Sequence, residues 1–266
     1  MTADIQNASN PAALLLRDAA LTPERIGLQI LRPQGTERWS YERIITNILG
    51  IGGGMRARGL GPGDVVMLAG DDVLGRAMGA MAAMAAGLIP VWAEQDTHFD
   101  ATAAMLARQG ITGRRIERMD VANLHALHAH APSEWVEGQT EPRIWILRRE
   151  MLLPRAVAYP FEAGERVLIV SDNADRGARA LLTAWVRGAT ALVPQKGLST
   201  AQILLLARRF DVQVLAATSG SLAQMMEHGL PHLPRLQRLE ALNDLAPGQA
   251  DAWSETTSTP ALETLA

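Results

Sequence analysis

The 266-residue chain has no cysteine and a single lysine, Lys196. The first absence excludes disulfides, thiol nucleophiles and cysteine-bound zinc. The second leaves arginine as nearly the sole basic residue. This reads first as codon bias and only second as bidentate anion binding. Long apolar runs are missing as well. The most apolar window, from Ala77 to Val91, contains Gly79, Gly87 and Pro90, and it falls short of the ~20 residues of a membrane-spanning helix. The opening residues, Met1 to Gln6, lack the basic stretch and apolar core of a secretory signal. A cytoplasmic protein without membrane insertion is the expectation. Strong charge of either sign is lacking too: the net charge is −3 and the pI about 6.1. Nothing in that balance suggests a nucleic acid as partner.

What is present is ordinary globular material, with 48% hydrophobic and 20% charged residues. That is enough for one large or two small domains. Short β-rich runs alternate with Ala/Leu/Met-rich helical runs. Strands are expected at Val65–Ala69, Leu88–Ala93, Ile144–Leu147, Val167–Ser171, Thr190–Val193, Val212–Ala217 and Leu236–Leu242. Helices are expected near Tyr41–Arg58, Asp72–Ala86, Asp100–Arg108, Asp120–His130, Ala174–Arg187, Ser199–Phe210 and Ser219–His228. The alternation predicts an α/β fold with largely parallel sheets flanked by helices. The nearly continuous apolar strands fit sheets covered on both faces. Ser199-Thr-Ala-Gln202 has the pattern of a capping box, and Ser219 or Ser221 can cap the following helix. The Pro-, Glu- and Gly-bearing stretch 133–142 reads as a linker between a first α/β subdomain, 1–132, and a second, 143–266.

Each candidate site has a plainer reading beside it. Gly59-Leu-Gly-Pro-Gly-Asp64 is glycine-rich, but a helix precedes it and a strand follows. That order is the reverse of a phosphate cradle, so it reads as a helix stop and tight turn. Two loops do have the strand-to-helix polarity that places ligands in α/β proteins. One carries Ser171, Asp172, Asn173 and Asp175. The other carries Thr218, Ser219 and Ser221. Helix capping accounts for these side chains as well as ligand binding does. Arg148 and Arg149 are candidate anion contacts. His125, His128 and His130 read as surface histidines rather than metal ligands, because no carboxylate lies at a suitable spacing. Asp71 and Asp72 suit the start of a helix. Met78, Met81 and Met84 read as helical core packing. No metal site, cofactor or catalytic residue is assigned.

The residues also carry a resemblance. Trp39-Ser-Tyr-Glu-Arg43, the run from Met55 through Gly-Pro-Gly-Asp64 to Leu68, and Ala80 through Ala-Gly-Leu-Ile-Pro-Val91 resemble the opening segments of AMP-dependent synthetases. Gly164-Glu-Arg-Val-Leu168, Ala184-Trp-Val-Arg-Gly-Ala-Thr-Ala-Leu-Val-Pro194 and Arg208-Arg-Phe-Asp-Val-Gln-Val-Leu215 are similar to later ones. The tail Thr259–Ala266 looks like the strand that precedes that family's Thr-Glu motif. The resemblance implies the N-terminal portion of an adenylate-forming acyl- or aryl-CoA ligase. The family's Ser/Thr/Gly-rich phosphate loop has no counterpart: the segment from Arg143 to Ala163 contains no Ser, Thr, Gly or Lys. The magnesium- and adenylate-associated Thr-Glu pair, the ribose-binding Asp and the C-terminal domain with its lysine are not found in the sequence. The expectation is a truncated, catalytically inactive synthetase-like protein that binds, scaffolds or regulates within a larger assembly. A protein partner is expected, either a second copy or a larger complex. The alternatives are one piece of a split ligase and a non-catalytic sensor of an acyl, aryl or nucleotide ligand.

Overall fold

The computed structural model describes residues 21–93, 99–108, 110–129, 160–229, 233–257 and 261–263, with Ala12 and Leu15. In chain order, β1 (Ile26–Arg32) and β2 (Gly35–Ser40) lead into α1 (Tyr41–Ala57). Then come β3 (Val65–Ala69), α2 (Val73–Ala85), β4 (Ile89–Ala93), α3 (Phe99–Arg108) and β5 (Ile116–Asp120), followed by a 3-10 segment, Val121–Ala129. The later part runs β6 (Arg166–Val170), α4 (Ala174–Arg187), β7 (Thr190–Pro194), α5 (Thr200–Arg209) and β8 (Val214–Ala217). It continues with α6 (Ser219–Glu227), β9 (Arg238–Ala241), α7 (Gln249–Thr257) and β10 (Ala261–Glu263). This is the expected α/β architecture.

The chain divides into two compact units, 1–22 with 42–157, and 23–41 with 158–266. The sequence expectation of a first subdomain running unbroken from 1 to 132 departs from this. β1 pairs in parallel with β7, Leu28 opposite Ala191, so the early hairpin belongs to the later sheet. Residues 133–142 and the strand expected at Ile144–Leu147 lie outside the described residues.

The first unit holds a three-stranded parallel sheet in the order β4-β3-β5. Every residue of β3 is buried, as suits the middle strand of a covered sheet. Asp72 caps α2, its carboxylate accepting the Gly75 N–H at 2.5 Å. From Gly75 to Ala85 that helix is buried on all sides, with Met78, Met81 and Met84 in the interior. Small residues allow close approach. A Cβ on Gly52 of α1 would lie 2.8 Å from the Ala82 carbonyl oxygen, and one on Gly54 would lie 2.5 Å from that of Leu127. The glycine-rich turn after α1 is a turn, as expected: Gly59 and Gly63 both have φ of +83°, and Asp64 accepts the Gly61 N–H at 2.8 Å.

A single α-helix expected over Asp120–His130 is replaced by the end of β5 and the 3-10 segment. Ile116-Glu-Arg-Met-Asp120 is too charged to read as a buried strand, yet it pairs along its whole length with β3. His125 lies in the 3-10 segment, its ring nitrogen 3.0 Å from the Ala122 carbonyl. No cluster of three or more His, Asp or Glu that could hold a metal occurs among the described residues. No described helix is long and apolar enough to cross a membrane.

The second unit holds a seven-stranded sheet in the order β10-β9-β8-β6-β7-β1-β2, parallel except for β2. Leu168, Leu192, Leu204, Leu215, Leu222, Leu239 and Trp253 build its core. Tyr41 closes the hairpin onto that core. It is 1% exposed, its hydroxyl donates to the Ala189 carbonyl at 2.7 Å, and its ring lies under the Arg25 guanidinium. Thr190 secures the same region by donating to the Ile26 carbonyl at 2.6 Å. Tyr41 of the Trp-Ser-Tyr segment and Thr190 of the Gly-Ala-Thr segment thus both tie the start of β1 to that of β7. Gly188, in the left-handed conformation at φ +77°, caps α4.

At the amino ends of β6 and β9 lies a buried ionic triad. Arg238 donates twice to Glu165, at 2.7 and 2.9 Å, and once to Glu240, at 2.8 Å. A further donation goes to the Pro160 carbonyl at 2.8 Å. Burial works against the Arg238 charge, but its bonds to Glu165 and Glu240 prevail and hold the guanidinium more firmly protonated than usual. Glu240 is 1% exposed. Its carboxyl is pushed up by burial, against the opposing bond and charge of Arg238, and Glu165 adds repulsion. The folded state therefore holds the Glu240 proton more tightly than the unfolded chain does. This contribution stabilises the fold at low pH and is lost as pH rises through the folded value. Glu240→Gln is expected to gain stability relative to the parent as pH rises from about 4. Urea midpoints of both proteins across pH test this, and a constant difference would refute it.

Candidate functional site

The second sheet has a topological switch point. From β6 the chain crosses through α4 to β7 on one side, whereas from β8 it crosses through α6 to β9 on the other. Such a divergence opens a crevice at the carboxyl ends of the two strands, where open α/β sheets place ligands. The two loops singled out in the sequence meet there. The Asp172 N–H donates to Thr218 Oγ1 at 3.4 Å, and the Asp172 carboxylate lies directly against Gly220, in space that a Cβ at that position would take.

Local chemistry explains each loop. Asn173 caps α4, accepting the Arg176 N–H at 3.0 Å. Ser171 closes a tight turn, donating to the Asn173 carbonyl at 2.6 Å and accepting the Asn173 N–H at 3.1 Å. Asp175 sits in the first turn of α4, where its charge suits the helix dipole. In the second loop, Thr218 occupies the cap position of α6 but makes no side-chain cap bond. Its hydroxyl donates instead to Ser221 Oγ at 2.9 Å, both groups being buried. Capping by Ser219 or Ser221 is thus corrected: the acceptor at this helix start comes from elsewhere. Asn243, just beyond β9, takes the Ser219 N–H at 2.7 Å.

Asn243 and Gln249 complete the crevice and carry no sequence motif. Ser219 Oγ donates to Gln249 Oε1 at 2.7 Å, and Gln249 Nε2 donates back to the Ser219 carbonyl at 2.9 Å. Arg176 reaches the Leu242 carbonyl at 3.2 Å. The crevice is therefore cross-linked by its own side chains. Arg148 and Arg149 lie outside the described residues. A helix N-terminus attracts anions through free N–H groups and the dipole. At α6 the first N–H is engaged by Asn243, and a carboxylate, that of Asp172, lies against the first turn.

No protein-family model matches this sequence, and no curated protein matches it. Solved structures do match the fold. The inhibitor-bound N-terminal domain of FACL13 from Mycobacterium tuberculosis superimposes with a TM-score of 0.72 at 12% identity, over 97% of this chain and 75% of that one. VinN in complex with L-aspartate gives 0.67 at 13% identity, over 96% and 74%. O-succinylbenzoate coenzyme A synthetase, MenE, from Bacillus subtilis gives 0.69 at 16% identity, over 93% of this chain and 57% of that one. With its parallel sheets, flanking helices and near-complete coverage by these neighbours, the chain has the fold of the N-terminal portion of adenylate-forming acyl-CoA ligases.

Proposed function

We propose that this protein keeps a ligase fold without ligase chemistry and works as a binding, scaffolding or regulatory subunit of a larger assembly. The carrying observation is the composition of the segment before Gly164. From Arg143 to Ala163 there is no Ser, Thr, Gly or Lys. Transfer of a nucleotidyl group needs positive charge and hydrogen-bond donors placed where phosphate charge develops. Backbone cradles for phosphate rely on glycine for close approach, and this segment has none. The crevice supports the same reading. Its polar side chains are bonded to one another, and its nearest charge at the start of α6 is the negative charge of Asp172.

The expected result is no exchange of labelled pyrophosphate into ATP with a panel of fatty, aryl and amino acids. A heteromeric mass is expected when the protein is isolated gently from its host and weighed in the native state. Measurable exchange would overturn the reading, and so would a native mass of the bare monomer.

A further inference from the structure

Away from the crevice, the second unit carries a groove with a different character. It lies between the turn joining β1 to β2 and the flank of α5, with a cavity of about 480 Å³. Three arginines line it: Arg32, Arg38 and Arg209. Arg32 pairs with Glu37 at 2.6 Å, but both side chains are well exposed, at 44% and 28%. An exposed pair of this kind contributes little and exchanges readily for another partner. Arg38 and Arg209 are exposed and have no carboxylate partner among the described residues. Arg209 instead lies over the Phe210 ring, 5.8 Å from its centre.

The groove also carries apolar side chains. Three successive leucines, Leu204 to Leu206, run along α5. Leu204 is 3% exposed and anchored in the core, whereas Leu205 is 64% exposed. Leu205, Leu206 and Phe210 line the same cavity as the arginines. A lone exposed leucine needs no explanation. One beside two guanidiniums that have no carboxylate partner among the described residues, in a concave surface of a chain with net charge −3, offers charge and apolar area together.

We propose that this groove docks an acidic, leucine- or phenylalanine-bearing segment of a partner protein. The carboxylates pair with Arg38 and Arg209, and the apolar side chain covers Leu205 and Phe210. Charge complementarity selects the occupant. An open groove with an exposed leucine suits an extended segment better than a small molecule, which calls for enclosure. Leucine and phenylalanine side chains among the arginines do not suit a nucleic-acid backbone. Aromatic and arginine side chains are the groups that commonly anchor such interfaces. The proposal deepens the subunit reading and rests on it for its biological use.

The probe is a fluorescein-labelled Glu-Leu-Glu-Leu-Glu peptide followed by fluorescence anisotropy, with Lys-Leu-Lys-Leu-Lys and Glu-Ser-Glu-Ser-Glu as comparisons. The first peptide should bind and weaken with added salt. The lysine peptide should not bind, and the serine peptide should bind more weakly. Arg38→Glu with Arg209→Glu should lower affinity by about tenfold or more, and Leu205→Ser by several-fold. Arg114→Glu, a charge reversal on an exposed arginine of the first unit, should leave binding unchanged. No binding to the parent, equal binding of the lysine peptide, or parental affinity in the double variant would each overturn the proposal. The two readings fail separately. A native heteromer that survives Arg38→Glu/Arg209→Glu sinks the groove and leaves the subunit role standing. Peptide binding lost in that variant, in a protein that is monomeric in its host, sinks the subunit role and leaves the groove standing.

Discussion

Arg238→Leu should destabilise the protein by about 3–5 kcal/mol. Leucine fills comparable volume, so lost packing is not the main cost. The guanidinium serves two carboxylates at once, and Glu165 and Glu240 are 8% and 1% exposed. Without it, two negative charges stay in the interior and repel each other, and Glu240 loses its bond to Arg238. Among the described residues, the Glu165 carboxylate keeps only the Glu162 N–H, at 2.7 Å. Denaturant unfolding of Arg238→Leu reads the loss. Adding Glu165→Gln and Glu240→Gln should recover most of it, because the residual cost is one of uncompensated charge. A loss under about 1 kcal/mol, typical of an exposed pair, would show that water reaches the triad and would sink the account.

Gly54→Ala should destabilise by about 1–3 kcal/mol, against the usual sign of the change. In an exposed helix interior, alanine in place of glycine stabilises by roughly 0.5–1 kcal/mol. At Gly54 the added Cβ would lie 2.5 Å from the Leu127 carbonyl oxygen and 2.7 Å from its Cβ. The nearest obstacle is main chain, so no rotamer change relieves it, and the 3-10 segment must move. Truncating the neighbour in Gly54→Ala/Leu127→Ala should therefore rescue nothing. Thermal unfolding of the two variants decides the matter. A stabilised Gly54→Ala would mean that α1 and the 3-10 segment part easily.

How much of this was legible follows from the range of the interactions. α4 begins and ends where its sequence indicates, because Asn173 and Gly188 mark its limits locally. Ser199 and Gln202 make both bonds of the capping box, a pattern contained in four residues. The missed elements depend on distant partners. β1 and β2 have modest local signals and are fixed by β7 and by Tyr41 reaching Ala189. β5 is charged and is held by pairing with the fully buried β3. The two loops of the candidate crevice were readable, since strand-to-helix polarity is local. Asn243 and Gln249 were not, because they reach Ser219 from 24 and 30 positions away and belong to no motif. The Arg238–Glu165 pair, 73 positions apart, was invisible for the same reason.

The pairing of β1 with β7 also sets a timetable for the growing polypeptide. Leu28 leaves the ribosome well before Ala191, its partner 163 positions later (191 − 28). At typical elongation speeds, that is a wait on the order of ten to thirty seconds. Throughout it, β1 has β2 on one side and nothing of its final neighbour on the other. The strands of the three-stranded sheet, β3, β4 and β5, lie between them in sequence and can pair in the meantime. The nascent protein thus carries an unsatisfied strand edge until β7 emerges, and that interval is when premature pairing with another chain would compete with correct folding.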